Sequence, residues 1–292
     1  PISGSAVSIG KTGNITVKLP DGTDLDAKHQ VTVIVTDHKK APQQGKNVTV
    51  KGDLGQSAAG KTDKNGELTV PEVEQTERHG VYIVGYTDGT FGPSRSMTRA
   101  EAAAIFARLL AEKNGDTIST AANTKFADIP AHAWYSGYVK YLSNNGITYG
   151  KSKTIFAPND AITRAEFTTM AVRFFDVYGD GDAEIMEQFS GFNDVSSGYW
   201  AAEYIKYAAL HGWINGYGDG SFHAEREINR AEVVTIVNRL LGREADEDYI
   251  ADNLRKLNTF PDVSRKHWAY YAVMEAANAH TAVLGESESW SK

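Results

Sequence analysis

Thr98-Arg99-Ala100-Glu101 opens a stretch whose apolar residues fall at Ala102, Ile105, Phe106, Leu109 and Leu110. The opening returns as Thr163-Arg164-Ala165-Glu166 and, with one change, as Asn229-Arg230-Ala231-Glu232, at offsets of 65 and 66 residues. Behind the second copy lie Phe167, Met170, Ala171, Phe174 and Phe175; behind the third lie Val233, Ile236, Val237, Leu240 and Leu241. Each set is spaced i, i+3, i+4, i+7, i+8, one face of an α-helix. The larger part of the chain is therefore a three-fold repeat of one amphipathic helix.

The helix starts carry their own chemistry. Thr98 with Glu101, Thr163 with Glu166, and Asn229 with Glu232 each form a capping box, which satisfies the orphan amides of the first turn. The arginine between them is less easily explained, because a cation there opposes the helix dipole by roughly 0.3–1 kcal/mol when exposed. Two readings of Arg99, Arg164 and Arg230 are open. Either each pairs with a nearby aspartate such as Asp128, Asp194 or Asp262, or each builds an anion site with the free amides of its helix end.

A second element recurs as Phe126-Ala-Asp128-Ile129 with Trp134, Phe192-Asn-Asp194-Val195 with Trp200, and Phe260-Pro-Asp262-Val263 with Trp268. One Trp at each helix start, followed by an apolar stripe, reads as repeat core. Turn-rich loops precede the capped helices, at Gly85-Tyr86-Thr-Asp88-Gly89, Gly150-Lys-Ser-Lys-Thr and Gly216-Tyr217-Gly-Asp219-Gly220. Tyr86 and Tyr217 are candidates to stack on a ligand ring or to cover the helix below. Asp88 and Asp219 accept ligand hydroxyls or shape the Asp-Gly turns, and Gly89 and Gly220 allow backbone turning and close approach. The first repeat lacks a Trp helix before it and the last lacks a capped helix after it. Three whole units result only if the chain closes on itself, with Ser264–Asn278 completing the unit begun at Gly80; an open stack leaves apolar faces bare at both ends.

The 292 residues are 41% hydrophobic and 23% charged, enough for about two domains. With no cysteine, disulfides, Cys-ligated zinc, iron–sulfur clusters and thiol catalysis are excluded. The net charge is −7, with ten charges of each sign before residue 79 and 20 basic against 27 acidic after it. The excess acid thus lies in the repeats, which argues against nucleic-acid binding. No run of 18 apolar residues occurs, so no membrane span is expected. Beginning at Pro1 with no basic-then-apolar leader, the sequence reads as a processed chain. Asp180-Gly-Asp182-Ala-Glu184 lacks calcium-loop spacing and reads as a linker, and Glu244–Asp248 reads as a solvated helix start. Eight scattered histidines match no metal motif, and no nucleotide-binding or serine-nucleophile signature is present. No catalytic residue, cofactor or metal is expected.

Residues 1–78 alternate as strands do, in the runs Asn14–Leu19, Gln30–Thr36, Asn47–Lys51 and Glu67–Val70, separated by Asp21-Gly22, Pro42–Gly45 and Asn65-Gly66. The expectation is a small all-β sandwich. Its last stretch, Gly60–Pro71, resembles the closing hairpin of bacterial immunoglobulin-like modules.

The F-x-D-[IV] element with its Trp, the G-Y-x-D-G-x-F loop and T-R-A-E together resemble the S-layer homology (SLH) domain over residues 79–285. The fold class expected is thus an Ig-like β-sandwich spacer, 1–78, followed by an all-α pseudo-three-fold SLH bundle, 79–292. Within the bundle the divisions are about 79–125, 126–191 and 192–259, with a closing segment 260–285. The resemblance implies a three-pronged spindle that is not an enzyme. Its grooves would bind a secondary cell wall polysaccharide or peptidoglycan-linked glycan, often bearing pyruvylated N-acetylmannosamine, and anchor a larger extracellular protein to the cell wall or S-layer. Arg99, Arg164 and Arg230 would take the anionic group, beside Tyr86, Asp88, Gly89, Tyr217, Asp219 and Gly220. The rival readings are a self-assembling lattice module, with neighbouring surface-layer copies as partners, and a cell-wall glycan hydrolase.

Overall fold

A computed structural model describes residues 6–9, 15–18, 32–37, 41–51, 57–69, 75–178, 189–284 and 289–291. The Asp21-Gly22 turn and the Asp180–Glu184 linker lie outside the described residues. The chain divides into two compact units, Pro1–Arg78 with Thr281–Lys292, and His79–His280.

In the first unit, β1 (Ala6–Ile9), β2 (Ile15–Lys18), β4 (Asn47–Lys51) and β5 (Ser57–Lys61) form one sheet in the order β1-β2-β4-β5. The ladder is antiparallel except between β2 and β4, which run parallel. Among the described residues β3 (Thr32–Ile34) pairs with β6 (Glu67–Thr69), as a two-stranded antiparallel ribbon. A third sheet, β7-β8-β9, joins Gln75–His79 to His280–Leu284 and Ser289–Ser291. The all-β Ig-like sandwich expected for residues 1–78 is therefore corrected: the described strands form small separate sheets, not two packed layers of one β-domain. The C-terminal strands also depart from an all-α 79–292. Alternation marks which residues extend, but it does not specify which edges pair. Asn65-Gly66 illustrates this. It makes a tight turn, with the Asp63 amide 2.8 Å from the Glu67 carbonyl, yet β5 and β6 on either side belong to different sheets.

In the second unit, α1 (Arg99–Asn114), α3 (Arg164–Tyr178) and α5 (Arg230–Leu241) are the three repeated helices. Both halves of the capping box are formed at Thr98/Glu101 and Asn229/Glu232. The same reciprocal bonds join Thr163 and Glu166, at 3.1 and 3.2 Å. The helices after each Trp are α2 (Ser136–Asn144), α4 (Ala202–Leu210) and α7 (Tyr270–Ala277); α6 (Glu247–Asn253) is an insertion before the last. α2 packs on α1, α4 on α3 and α7 on α5, while α3 also touches α1 and α5. Phe106 of α1 meets Phe167 and Phe174 of α3 with ring centroids 5.3 and 4.9 Å apart, a buried aromatic join between two pairs.

The residues just before the capped helices close a ring. The Met97 amide donates to the Ile228 carbonyl, Ile228 to Ile162, and Ile162 back to Met97, all at 2.9–3.0 Å. All three side chains are fully buried. Three equivalent backbone bonds around one axis place the three helix starts side by side.

Candidate ligand grooves

The aspartate of each F-x-D element clamps a loop. Asp128 accepts from the amides of Phe156 and Ala157, Asp194 from Phe222 and His223, and Asp262 from Phe91 and Gly92, all at 2.7–2.9 Å. Burial pushes the Asp194 and Asp262 carboxyls up, but their backbone donors outweigh it and hold both below the ordinary range. The phenylalanine of the same element packs against the loop's own phenylalanine, 5.1–5.4 Å between centroids in every copy. It also lies over Gly85, Gly150 or Gly216. A Cβ at any of these would sit 2.5 Å from that ring, so glycine is required there by close approach.

The repeated arginines then link each copy to the next. Arg99 donates from Nε to the Phe156 carbonyl at 2.8 Å and from Nη1 to Glu166 at 3.0 Å. Arg164 does the same to Phe222, at 2.8 Å, and Glu232, at 3.2 Å. Arg230 closes the circle onto Phe91, at 2.8 Å, and Glu101, at 3.9 Å. Their Nη2 groups add bonds from Arg164 to the Asn215 carbonyl and from Arg230 to the Val84 carbonyl. All three arginines are at most 5% exposed. Burial lowers the pKa of Arg164 and Arg230, opposed by Tyr217 with Glu232 and by Tyr86 with Glu101, and a guanidinium so paired stays charged. Thus the carboxylate partner is the next repeat's capping glutamate, while Asp128, Asp194 and Asp262 face backbone amides. The first-turn amides are also engaged: Arg99 and Ala100 donate to Asp160 and Pro158, Arg164 and Ala165 to Arg226 and Ala224, Arg230 and Ala231 to Arg95 and Pro93. Any anion at these helix ends meets side-chain charge, not open backbone donors.

Two grooves are built alike on this frame. One, of about 200 Å³, runs between the Val84–Tyr86 loop and α1 and is bordered by Glu101, Arg108, Trp134 and Arg230. The other, of about 230 Å³, runs between the Asn215–Tyr217 loop and α5 and is bordered by Arg164, Glu232, Arg239 and Trp268. Tyr86 is flanked by the guanidiniums of Arg95 and Arg230, 4.4 and 4.7 Å from its ring centre. Tyr217 sits near Arg164 and Arg226 in the same way and bonds Glu232 at 3.2 Å. Asp88 accepts from the amide and hydroxyl of Thr90, and Asp219 from those of Ser221. These bonds hold both carboxyls below their usual pKa and form the turns completed by Gly89 and Gly220, at φ of +82° and +79°. Asp88, Asp219 and the two glycines therefore shape the loops that carry Tyr86 and Tyr217. In the middle sector Lys151 replaces the loop tyrosine and pairs with Asp160 at 2.8 Å. Arg173 there lies over the rings of Tyr149 and Tyr204, 4.7 and 4.9 Å from their centres.

The tryptophans are not core, a correction with a local cause. Trp134, Trp200 and Trp268 are 54%, 55% and 64% exposed. Each lies in the tight turn before its helix, and the next residue, Tyr135, Ala201 or Ala269, turns inward instead. The sequence reading also passed over Arg108, Arg173 and Arg239. Each stands ten residues beyond Thr98, Thr163 or Asn229, a signal that lay in the repeat itself.

An exposed tryptophan, a tyrosine-bearing loop and two arginines, built twice on a three-fold repeat, define a type of repeat module with like grooves between its copies. The family profile described as the S-layer homology domain matches residues 69–103, 125–168 and 191–234. The chain carries three S-layer homology repeats. It is 34% identical over 218 residues to Cell surface glycoprotein 1 of Acetivibrio thermocellus, covering 72% of this chain and 9% of that protein. It is 30% identical over 233 residues to the Cellulosome-anchoring protein of the same organism, covering 79% and 49%. To the S-layer protein of Bacillus licheniformis it is 30% identical over 155 residues, covering 53% and 17%. The chain thus spans half or less of the length of each of these relatives.

Proposed function

We propose that the chain is a non-catalytic module that anchors a larger protein at a bacterial cell surface by binding wall glycan. The ligand in this reading is a secondary cell wall polymer bearing pyruvylated N-acetylmannosamine. The observation that carries it is the duplicated groove: a half-exposed indole at the rim, a tyrosine on a clamped loop, and an arginine pair, Arg230 with Arg108 or Arg164 with Arg239. Indole and phenol faces stack on sugar rings, and a guanidinium pair receives a carboxylate through charge-assisted hydrogen bonds. Arg99 belongs to the middle sector, where the lost tyrosine and the position of Arg173 favour a weaker site. The net charge of −7 does not steer an anionic polymer, so attraction is local to the arginines. Two grooves on one polymer would raise apparent affinity without any new contact. The names of the relatives, a cellulosome-anchoring protein and an S-layer protein, support surface anchoring and extracellular placement. No helix among the described residues is long and apolar enough to cross a membrane.

The test is calorimetric titration with purified wall polymer, native and stripped of pyruvate. The exposed side chains Trp134, Trp268 and Arg239 and the half-buried Arg108, each changed to Ala, remove groove chemistry while leaving the buried arginine ring intact. Loss of the pyruvyl group or of one groove's Trp is expected to weaken binding at least tenfold. Binding indifferent to all of these changes would overturn the groove reading. Sedimentation that grows with concentration in the absence of polymer would favour the lattice reading instead.

A further inference from the structure

His79, Glu275 and His280 meet inside the second unit, away from both grooves. His79 ends β7, His280 opens β8, and Glu275 lies on α7. Their side chains are 4%, 0% and 2% exposed. Nδ1 of His79 stands 3.4 Å from one Glu275 oxygen, and Nε2 of His280 stands 3.3 Å from the other. One donor atom from each residue can be chosen so that all lie within 4.8 Å of one another. Two imidazoles and a carboxylate are a zinc ligand set. Each nitrogen meets a different Glu275 oxygen; a tetrahedral ion, whose bonds of about 2.0–2.1 Å put neighbouring ligand atoms about 3.3–3.4 Å apart, would draw one donor from each residue in from the 4.8 Å within which they lie. Nδ1 of His280 also faces the Asn278 carbonyl at 3.0 Å. A bond there occupies the Nδ1 proton and leaves the Nε2 lone pair toward Glu275, the outer-shell arrangement that orients metal-binding imidazoles.

We propose that His79, Glu275 and His280 form a buried site for a divalent transition-metal ion, zinc by its ligand chemistry. The described residues supply three ligands, and water would complete the shell. The ion would tie the residues that open and close this unit to α7, a structural staple between positions some 200 residues apart in sequence. Such a separation explains why no local histidine motif announces it.

The full chain, stripped with chelator, is titrated with zinc chloride, and bound metal is counted by elemental analysis. One zinc per chain is expected. With free zinc about 100-fold above its Kd, Tm should rise by about 5–10 °C and fall back when chelator is added. Cobalt(II) in place of zinc should give the strong visible absorption of a four-coordinate site. Glu275→Gln and His280→Gln should abolish the stoichiometric metal and the cobalt spectrum. A wild-type chain that retains no zinc and melts at one temperature with zinc or chelator overturns the proposal, and makes the cluster a metal-free His–Glu–His ion pair. So do variants that still bind one zinc. If the variants fail to fold, the wild-type titration alone decides.

Discussion

Ala157 and His223 hold φ of +58° and +56°, the left-handed region that costs an L-residue about 1–2 kcal/mol. Both stand where the first copy has Gly92, at φ +68°. The aspartate clamp maintains them, since each amide donates to Asp128 or Asp194 at 2.7 Å. Ala157→Gly is therefore expected to stabilise the fold by about 0.5–1 kcal/mol, after the extra unfolded-state entropy of glycine is set against the relieved strain; urea denaturation reads it. The same clamps have a pH signature. Amide donors depress Asp194 and Asp262 relative to the unfolded chain. Their contribution is accordingly complete above about pH 4 and is lost as pH falls through the depressed folded values. Asp194→Asn should lower stability at neutral pH and flatten the acid limb of a stability–pH curve; an unchanged limb would place the acid sensitivity elsewhere. At this scale the sequence was partly legible. The aspartates were visible as part of a repeat, but their partners were not, because an amide acceptor leaves no mark on the composition of the loop it binds.

At the scale of elements, the repeated helices start where Thr98, Thr163 and Asn229 say they should, because capping is a contact within four residues. Thr163→Ala is expected to cost about 1 kcal/mol, read as a lower denaturation midpoint with unchanged slope. Asn229→Ser should be close to neutral, since both side chains accept from the first turn equally well. The helices after the tryptophans have no side-chain cap at Tyr135, Ala201 or Ala269. They are held by packing on their capped partners and by the tight turn before them. That turn rotates the indole outward, which a helical periodicity argument extended back to the Trp does not anticipate. The strands erred differently. Their residues were recognisable, but edge pairing, including the parallel β2–β4 ladder, is a non-local choice.

For the His79–His280 unit as a whole, closure rests on contacts between its two ends. Asp262 reaches Phe91 and Gly92 across 171 and 170 residues, and Arg230 reaches Phe91 across 139. Asp262→Ala should release the Phe91 and Gly92 amides to faster hydrogen exchange while leaving Phe222 and His223 protected by Asp194. It should also weaken polymer binding in the groove beside Tyr86 more than in that beside Tyr217. Arg164→Ala acts on the ring itself. It removes the donor to the carbonyls of Phe222 and Asn215 and one partner of Glu232, which keeps Arg226 and Tyr217, so a loss of about 1–3 kcal/mol is expected, measurable by denaturation before any ligand is added.

The amino-acid sequence by itself determined the repeat, the positions of the capped helices and the turn-rich loops before them, because these follow from spacing and from contacts within a turn or two. Only the tertiary structure decided which carboxylate each arginine meets, that the tryptophans face outward, that the strands make small separate sheets, and that His79, Glu275 and His280 converge. The tryptophans face outward because of the tight turn before each helix; in the other cases pairing depends on what the distant chain brings alongside, and no local pattern of residues encodes a remote neighbour.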